Sequence, residues 1–190
     1  MLPGPALKEG PGDHTPELCS PTRIKASRRL SISRTDPKVP CMKNDVVAVE
    51  IRGILPSTSG CAIFVGNDEK VFVIQVEHNM GVVIGMFLRD TPKERPLTHD
   101  LIASIFKGFQ ISVERAVITE LKDSTYFARL VLQQNNELGR KLVEIDARPS
   151  DCLALVTAQK RPLFVSTSLF HQVEDMSKWL EEINENGENE

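Results

Sequence analysis

Hydrophobic and polar positions along the chain alternate between two rhythms. From Val46 onward, "VVAVEIRGIL" (46–55), "CAIFVG" (61–66) and "VFVIQV" (71–76) are rich in β-branched residues and split by "PSTSG" and "NDEK", which predicts three strands joined by turns. "HNMGVVIGMFLR" then predicts a short buried helix and "RDTPKERP" a loop. In "THDLIASIFKGF" the residues Leu101, Ile102, Ile105, Phe106 and Phe109 recur at helical spacing, with Thr98 as the expected N-cap and Asp100 in the first turn. "ISVERAVITEL" (111–121), "TYFARLVLQ" (125–133) and "RKLVEIDAR" (140–148) predict three further strands, with "KDS" and "QNNELG" as their turns. "PSDCLALVTAQ" reads as a helix, "PLFVS" as a short strand, and the last twenty residues as an acidic helical tail expected to fray.

The two halves line up at a constant offset of 71, with "VFVIQVEHNMGVVIGM" (71–86) over "LVEIDARPSDCLALVT" (142–157). In both, two antiparallel-looking strands precede a third that runs directly into a helix. The expected fold is therefore α+β: a curved, mostly antiparallel sheet from a duplicated β-β-β-α unit, with helices packed on it and the Thr98 helix as connector.

Composition narrows the setting. A chain of 190 residues with 41% hydrophobic and 26% charged residues is enough for one ordinary domain with a real core. No apolar run approaches ~18 residues, so no membrane span is expected. Cys19, Cys41, Cys61 and Cys152 stand far apart without a CxxC or Cys/His cluster, which argues against structural zinc or a disulfide framework and suits a reducing cytoplasm.

Charge is divided unevenly. Residues 1–45 carry eight Lys/Arg against five Asp/Glu, residues 172–190 one Lys against seven acids, and residues 46–171 fourteen of each. A neutral middle is not the basic surface expected of a protein that grips phosphates along a long groove. Residues 1–41 are rich in Pro, Gly and Ser without periodicity. They are expected to be either a disordered basic arm, centred on "RIKASRRLSISR", or an over-long start preceding a natural beginning at Met42. The domain is then expected over 42–171, followed by an acidic C-terminal tail over 172–190.

Candidate chemistry concentrates in "EIDARPSDCLAL" (144–155). Along its strand, Val143, Ile145 and Ala147 point to one side and Glu144, Asp146 and Arg148 to the other, roughly 6.6 Å apart. Pro149 suits the first position of a helix, and Ser150 and Asp151 fall in its first turn, where free N–H groups favour negative charge. A strand handing over to a helix explains these residues structurally. The same corner, with Asp146 and Asp151 flanking Arg148, has the parts to hold a divalent cation (Mg or Mn) and steady a phosphate, as metal-assisted phosphodiester hydrolysis requires. Elsewhere, His99 and Asp100 offer an acid/base pair that helix capping also explains, and His78 mirrors the corner in the first half. "TELKDSTYFAR" places Glu120, Lys122, Asp123 and Arg129 around a hairpin whose charges solvation alone would account for. No GxSxG, P-loop, HExxH or Gly-rich dinucleotide loop is present, and one Trp and one Tyr make no stacking platform.

"RPLTHDL" (95–101), "ERAVITELKDSTYFARLVL" (114–132) and "EIDARPSDCLALV" (144–156) together resemble the bifunctional nuclease domain family, in its order and spacing, over about residues 46–171. The resemblance implies hydrolysis of both RNA and DNA. It implies Asp146 and Asp151 as metal or water ligands and Arg148 as the phosphate clamp. His99 or Asp100 would be the acid/base partner, with Arg129, Lys122 and Ser150 on the substrate. Two departures bear on the site. Met80 and Gly81 stand where the family often has a Glu-Ala pair, so the first half lacks the acid matching Asp151, and Cys152 replaces the usual Ala.

Three readings follow. The first is a sequence-tolerant nuclease with nucleic acid as partner. The second is a non-catalytic binding or regulatory module in which Arg148 and Asp151 tie strand to helix. The third is a homo-oligomer joined through apolar strand edges.

Overall fold

A computed structural model describes residues 45–58, 60–137 and 139–187 of the chain; the N-terminal segment 1–41 and the start proposed at Met42 lie outside them. The predicted strands and helices appear in order, with one unpredicted short helix, α4, among them: β1 (Val46–Ser57), β2 (Gly60–Gly66), β3 (Val71–Val76), α1 (His78–Leu88), α2 (Thr98–Gly108), β4 (Ile111–Lys122), β5 (Thr125–Asn136), β6 (Gly139–Ala147), α3 (Pro149–Ala158), β7 (Leu163–Ser166), α4 (Thr167–Gln172) and α5 (Ser177–Gly187). The turns have the chemistry their residues dictate. Asp123 and Ser124 take φ of 48° and 60°, the left-handed pair that a two-residue hairpin between twisted strands demands. The proline at the start of α3 fixes φ and lacks the N–H that a first helical residue cannot use anyway.

The strands form one seven-stranded sheet in the order β3-β2-β1-β7-β4-β5-β6. All neighbours are antiparallel except β4 and β7. The short strand after α3 thus takes the central place between the two three-stranded meanders. Its position is set by β1 and β4, far away in sequence, so no local pattern announces it.

The main core lies between the sheet and α1 and α3. Cys152, Leu153 and Ala154 of α3 and Ile84 of α1 are fully buried against Val113, Ala116, Ile118 and Ala128. Each large side chain of this layer contributes about 1.5–3 kcal/mol by leaving water. Gly81 lets α1 approach β2 closely: a Cβ there would stand 2.3 Å from the Cys61 Sγ.

A second, smaller cluster on Ala62, Phe64 and Val71 receives Met176, Leu180 and Ile183. Trp179 stacks on Phe64 with ring centroids 5.6 Å apart. The acidic terminal helix expected to fray is therefore amphipathic, and its apolar side covers part of the sheet. Its acidic count hid the period of Trp179, Leu180 and Ile183.

Candidate functional site

At the candidate corner, β6 ends and α3 begins with Arg148 at the N-cap position, extended at φ −66° and ψ 144°. Arg148 turns back on its own helix: Nε donates to Asp151 Oδ2 at 2.9 Å and Nη2 to Asp151 Oδ1 at 3.3 Å. Asp151, in the first turn, also faces His99 Nε2 at 3.5 Å. His99 belongs to α2 and is buried, with its ring edge-on to Phe87 at 6.2 Å. On the outer side Arg148 reaches Glu77 Oε1 at 3.9 Å. Three elements thus converge in a chain running His99, Asp151, Arg148, Glu77. The Arg148 guanidinium, already a strong base, is raised further, first by its hydrogen bond to Asp151.

Glu77 was not singled out in the sequence, although it occupies the position matching Arg148 at the offset of 71. It precedes α1 as Arg148 precedes α3. The contact between them brings together the ends of β3 and β6, the two outermost strands, which a flat sheet of this width would hold far apart. Phe72 of β3 and Tyr126 of β5, with ring centroids 6.0 Å apart, span the same gap. Between them opens a crevice of about 320 Å³ lined by Gln75, Glu77, Thr125, Tyr126, Arg148 and Ser150, among others. Tyr126 is half-buried there, and burial pushes its hydroxyl pKa up. A larger crevice of about 630 Å³ lies at the far ends of α1 and α3, where Lys160 pairs with Asp90 at 2.9 Å. None of the corner residues lines it.

The remaining candidates are spread out. Asp146 pairs across the sheet with Arg129, whereas its neighbour Ala147 pairs with buried Ala128. Strand alternation therefore turns Asp146 to the sheet face opposite α3, away from Asp151. Asp146 is exposed and makes no hydrogen bond or ion pair with the described residues; its charge is felt at Cys152. Arg129 lies on that same opposite face and bonds Glu144 at 3.1 Å. Lys122 is exposed at the end of β4, in the hairpin whose Ser124 and Thr125 reach the crevice.

Asp100 is committed to helix-start contacts. Its Oδ2 accepts the Leu97 N–H at 2.8 Å and its Oδ1 meets Lys93 Nζ at 2.8 Å. Partial burial works against its ionisation, but Lys93 and the Leu97 N–H outweigh it and hold the carboxyl below its usual range. The N-cap is Leu97 rather than Thr98, because Asp100 supplies the capping oxygen from inside the helix.

The donor set does not fit a resident cation as arranged. Both Asp151 oxygens are taken by Arg148, one of them shared with His99, and Asp146 faces away. Among the described residues no three His, Cys, Asp or Glu side chains are placed to hold an ion. What the corner offers is an exposed arginine held by a carboxylate, which is itself held from behind by a buried histidine.

Comparison with known proteins bears on this arrangement. The model of the bifunctional nuclease domain family matches residues 63–177, more than half of the chain and all of the corner. An uncharacterized protein of Mycobacterium tuberculosis, represented in two strains, is 26% identical over 106 residues, covering 56% of this chain. The match spans 60% of that relative's length.

Proposed function

The chain belongs to the bifunctional nuclease domain family, and from that premise we propose that it hydrolyses phosphodiester bonds in RNA and DNA with little sequence preference, using the corner of Arg148, Asp151 and His99. The observation that carries the reading is that these three residues, from two motifs far apart in the sequence, meet in one cluster whose outer member, Arg148, lines the crevice. The Arg148 side chain is 64% exposed. Its planar fork matches two phosphate oxygens and offsets charge developing on them. As Arg148 moves to a phosphate, it releases an Asp151 oxygen toward solvent. That carboxylate takes a proton from the attacking water, the P–O bond breaks, and solvent protonates the leaving oxygen. His99, buried behind Asp151, positions the carboxylate and does not touch substrate. Ser150 and Tyr126 line the path of the strand. Recognition through phosphates accounts for tolerance of sequence and of sugar.

A divalent cation, Mg or Mn, belongs in this reading with the phosphates of the nucleic acid, not in a cage within the free protein. Calorimetric titration of either ion into the protein alone is expected to show no stoichiometric binding. Purified full-length protein should cleave single-stranded RNA and DNA. Arg148→Ala and Asp151→Asn should each lower the rate by about 100-fold or more, the scale of losing a positioned acid/base group or charge clamp.

The second reading is a module that binds without cutting. It is supported by the engagement of both Asp151 oxygens and by the neutral charge of residues 46–171. It is distinguished by retention of intact nucleic acid by the wild type, with binding lost in Arg148→Ala.

A further inference from the structure

The two edges of the sheet are treated differently by the rest of the chain. The β3 edge is buried and closed: the Val71 N–H is met by Asp175 Oδ1 and Ser177 Oγ at 3.3 and 3.2 Å, and the Met176 N–H donates to the Val71 carbonyl at 2.7 Å. Among the described residues the β6 edge has nothing comparable. Among the described strands it pairs with β5 alone, and its first eight residues are all exposed, among them Leu142, Val143 and Ile145 at 50%, 38% and 42%. A long bare edge carrying apolar residues is what monomeric sheets avoid.

A second apolar feature flanks this edge. Leu101, Ile105 and Phe109 of the α2 segment, spaced by four, are exposed at 57%, 48% and 66%, while Ile102 and Phe106 pack on the core. α2 begins beside Asp151, just past the end of β6, and ends where its Phe109 carbonyl accepts a hydrogen bond from Gln134, the strand neighbour of Lys141. Val143 and Ile145 pair with buried Leu132 and Leu130, so they face the same side of the sheet as the helices.

We propose that β6 and the outer stripe of α2 form the interface of a homodimer, with the two β6 strands pairing antiparallel about Val143. The charges along the edge point to a second copy as occupant. β6 carries Arg140 and Lys141 in its first half and Glu144 and Asp146 in its second. Antiparallel pairing centred on Val143 sets Arg140 opposite the Asp146 of the other chain, twice, whereas parallel pairing would set like charges together. Within its own chain Arg140 faces Glu114 at 3.4 Å and Asp146 has no ion pair with the described residues, so the acid is free to take the partner's arginine. Pairing also satisfies the outward backbone groups of β6 and buries Val143 and Ile145 beside α2.

The inference does not rest on nuclease activity, and its test reads mass. Light scattering on the full chain across a concentration series is expected to give twice the 21.2 kDa of one chain. Arg140→Asp and Asp146→Arg should each shift the protein to the mass of one chain, and the two together should restore the dimer. Should a strand variant unfold, Leu101→Asp with Ile105→Asp on exposed helix positions is expected to dissociate the dimer with the circular dichroism of the wild type. Hydrogen exchange of β6 amides should be slow in the dimer and fast in the dissociated variants. A wild type with the mass of one chain throughout overturns the proposal, and slow β6 exchange in such a monomer would place another segment of the chain on the edge. A dimer indifferent to all these substitutions overturns it as well.

Discussion

Arg148 stands between two acids, and its exposure decides what it can do. A side chain bridging Asp151 and Glu77 at the surface adds little stability, since exposed ion pairs are screened by solvent and cost side-chain entropy to hold. Arg148→Ala is therefore expected to leave the melting temperature almost unchanged while lowering nucleic-acid cleavage by about 100-fold or more. Arg148→Lys, which keeps charge but loses the fork, should recover only part of the rate. Asp100 behaves in the opposite way. Asp100→Asn should cost about 1–2 kcal/mol near neutral pH by weakening the contacts with Leu97 and Lys93. Because the folded carboxyl is held below its ordinary pKa, this contribution is fully present above about pH 4 and is lost as pH falls further. Melting curves of wild type and variant should thus converge only in acid. Cys152 is pushed up to about 12 by burial and by Asp151 and Asp146, so iodoacetamide should label it only after unfolding, as peptide mass spectrometry would show. The meeting of Arg148 and Asp151 was legible in the sequence, because a proline-started helix fixes their spacing. The inward histidine was not, since it depends on how α2 packs; strand alternation set Asp146 opposite Ala147, but its separation from Asp151 needed the packing of α3 on the apolar face.

Among the elements, α1 and α3 show how close packing is set by single positions. Gly81 leaves room for Cys61 beneath α1, and Gly81→Ala is expected to destabilise the protein by about 1–3 kcal/mol, measured by denaturant midpoint, as overpacking at a rigid contact does. The cost belongs to this chain's pairing of Gly81 with Cys61. The strands and helices up to α3 were legible because period-2 and helical patterns are local. β7 was legible as a strand but not as the sheet's central one. α4 escaped notice because six residues, capped by Ser166 accepting the Leu169 N–H, give too short a pattern. The corner contact of Glu77 with Arg148 could have been found by reading the two offset halves together, one acid against one base.

At the scale of the whole molecule, the neutral middle of the chain counts against a long basic groove, and the proposed place for phosphate is a crevice lined by the exposed Arg148. Among the described residues no helix is long and apolar enough to cross a membrane. Binding that depends on so few cations should weaken only gently with salt, a slope much shallower than that of proteins making 6–10 phosphate contacts. The most direct test of the account is cleavage of single-stranded RNA and DNA by the full-length protein and by Asp151→Asn, expressed and purified in parallel. The account predicts that the wild type degrades both nucleic acids and that the variant, with the same circular dichroism, is slower by about 100-fold or more. A wild-type preparation that cuts no faster than the variant would contradict it.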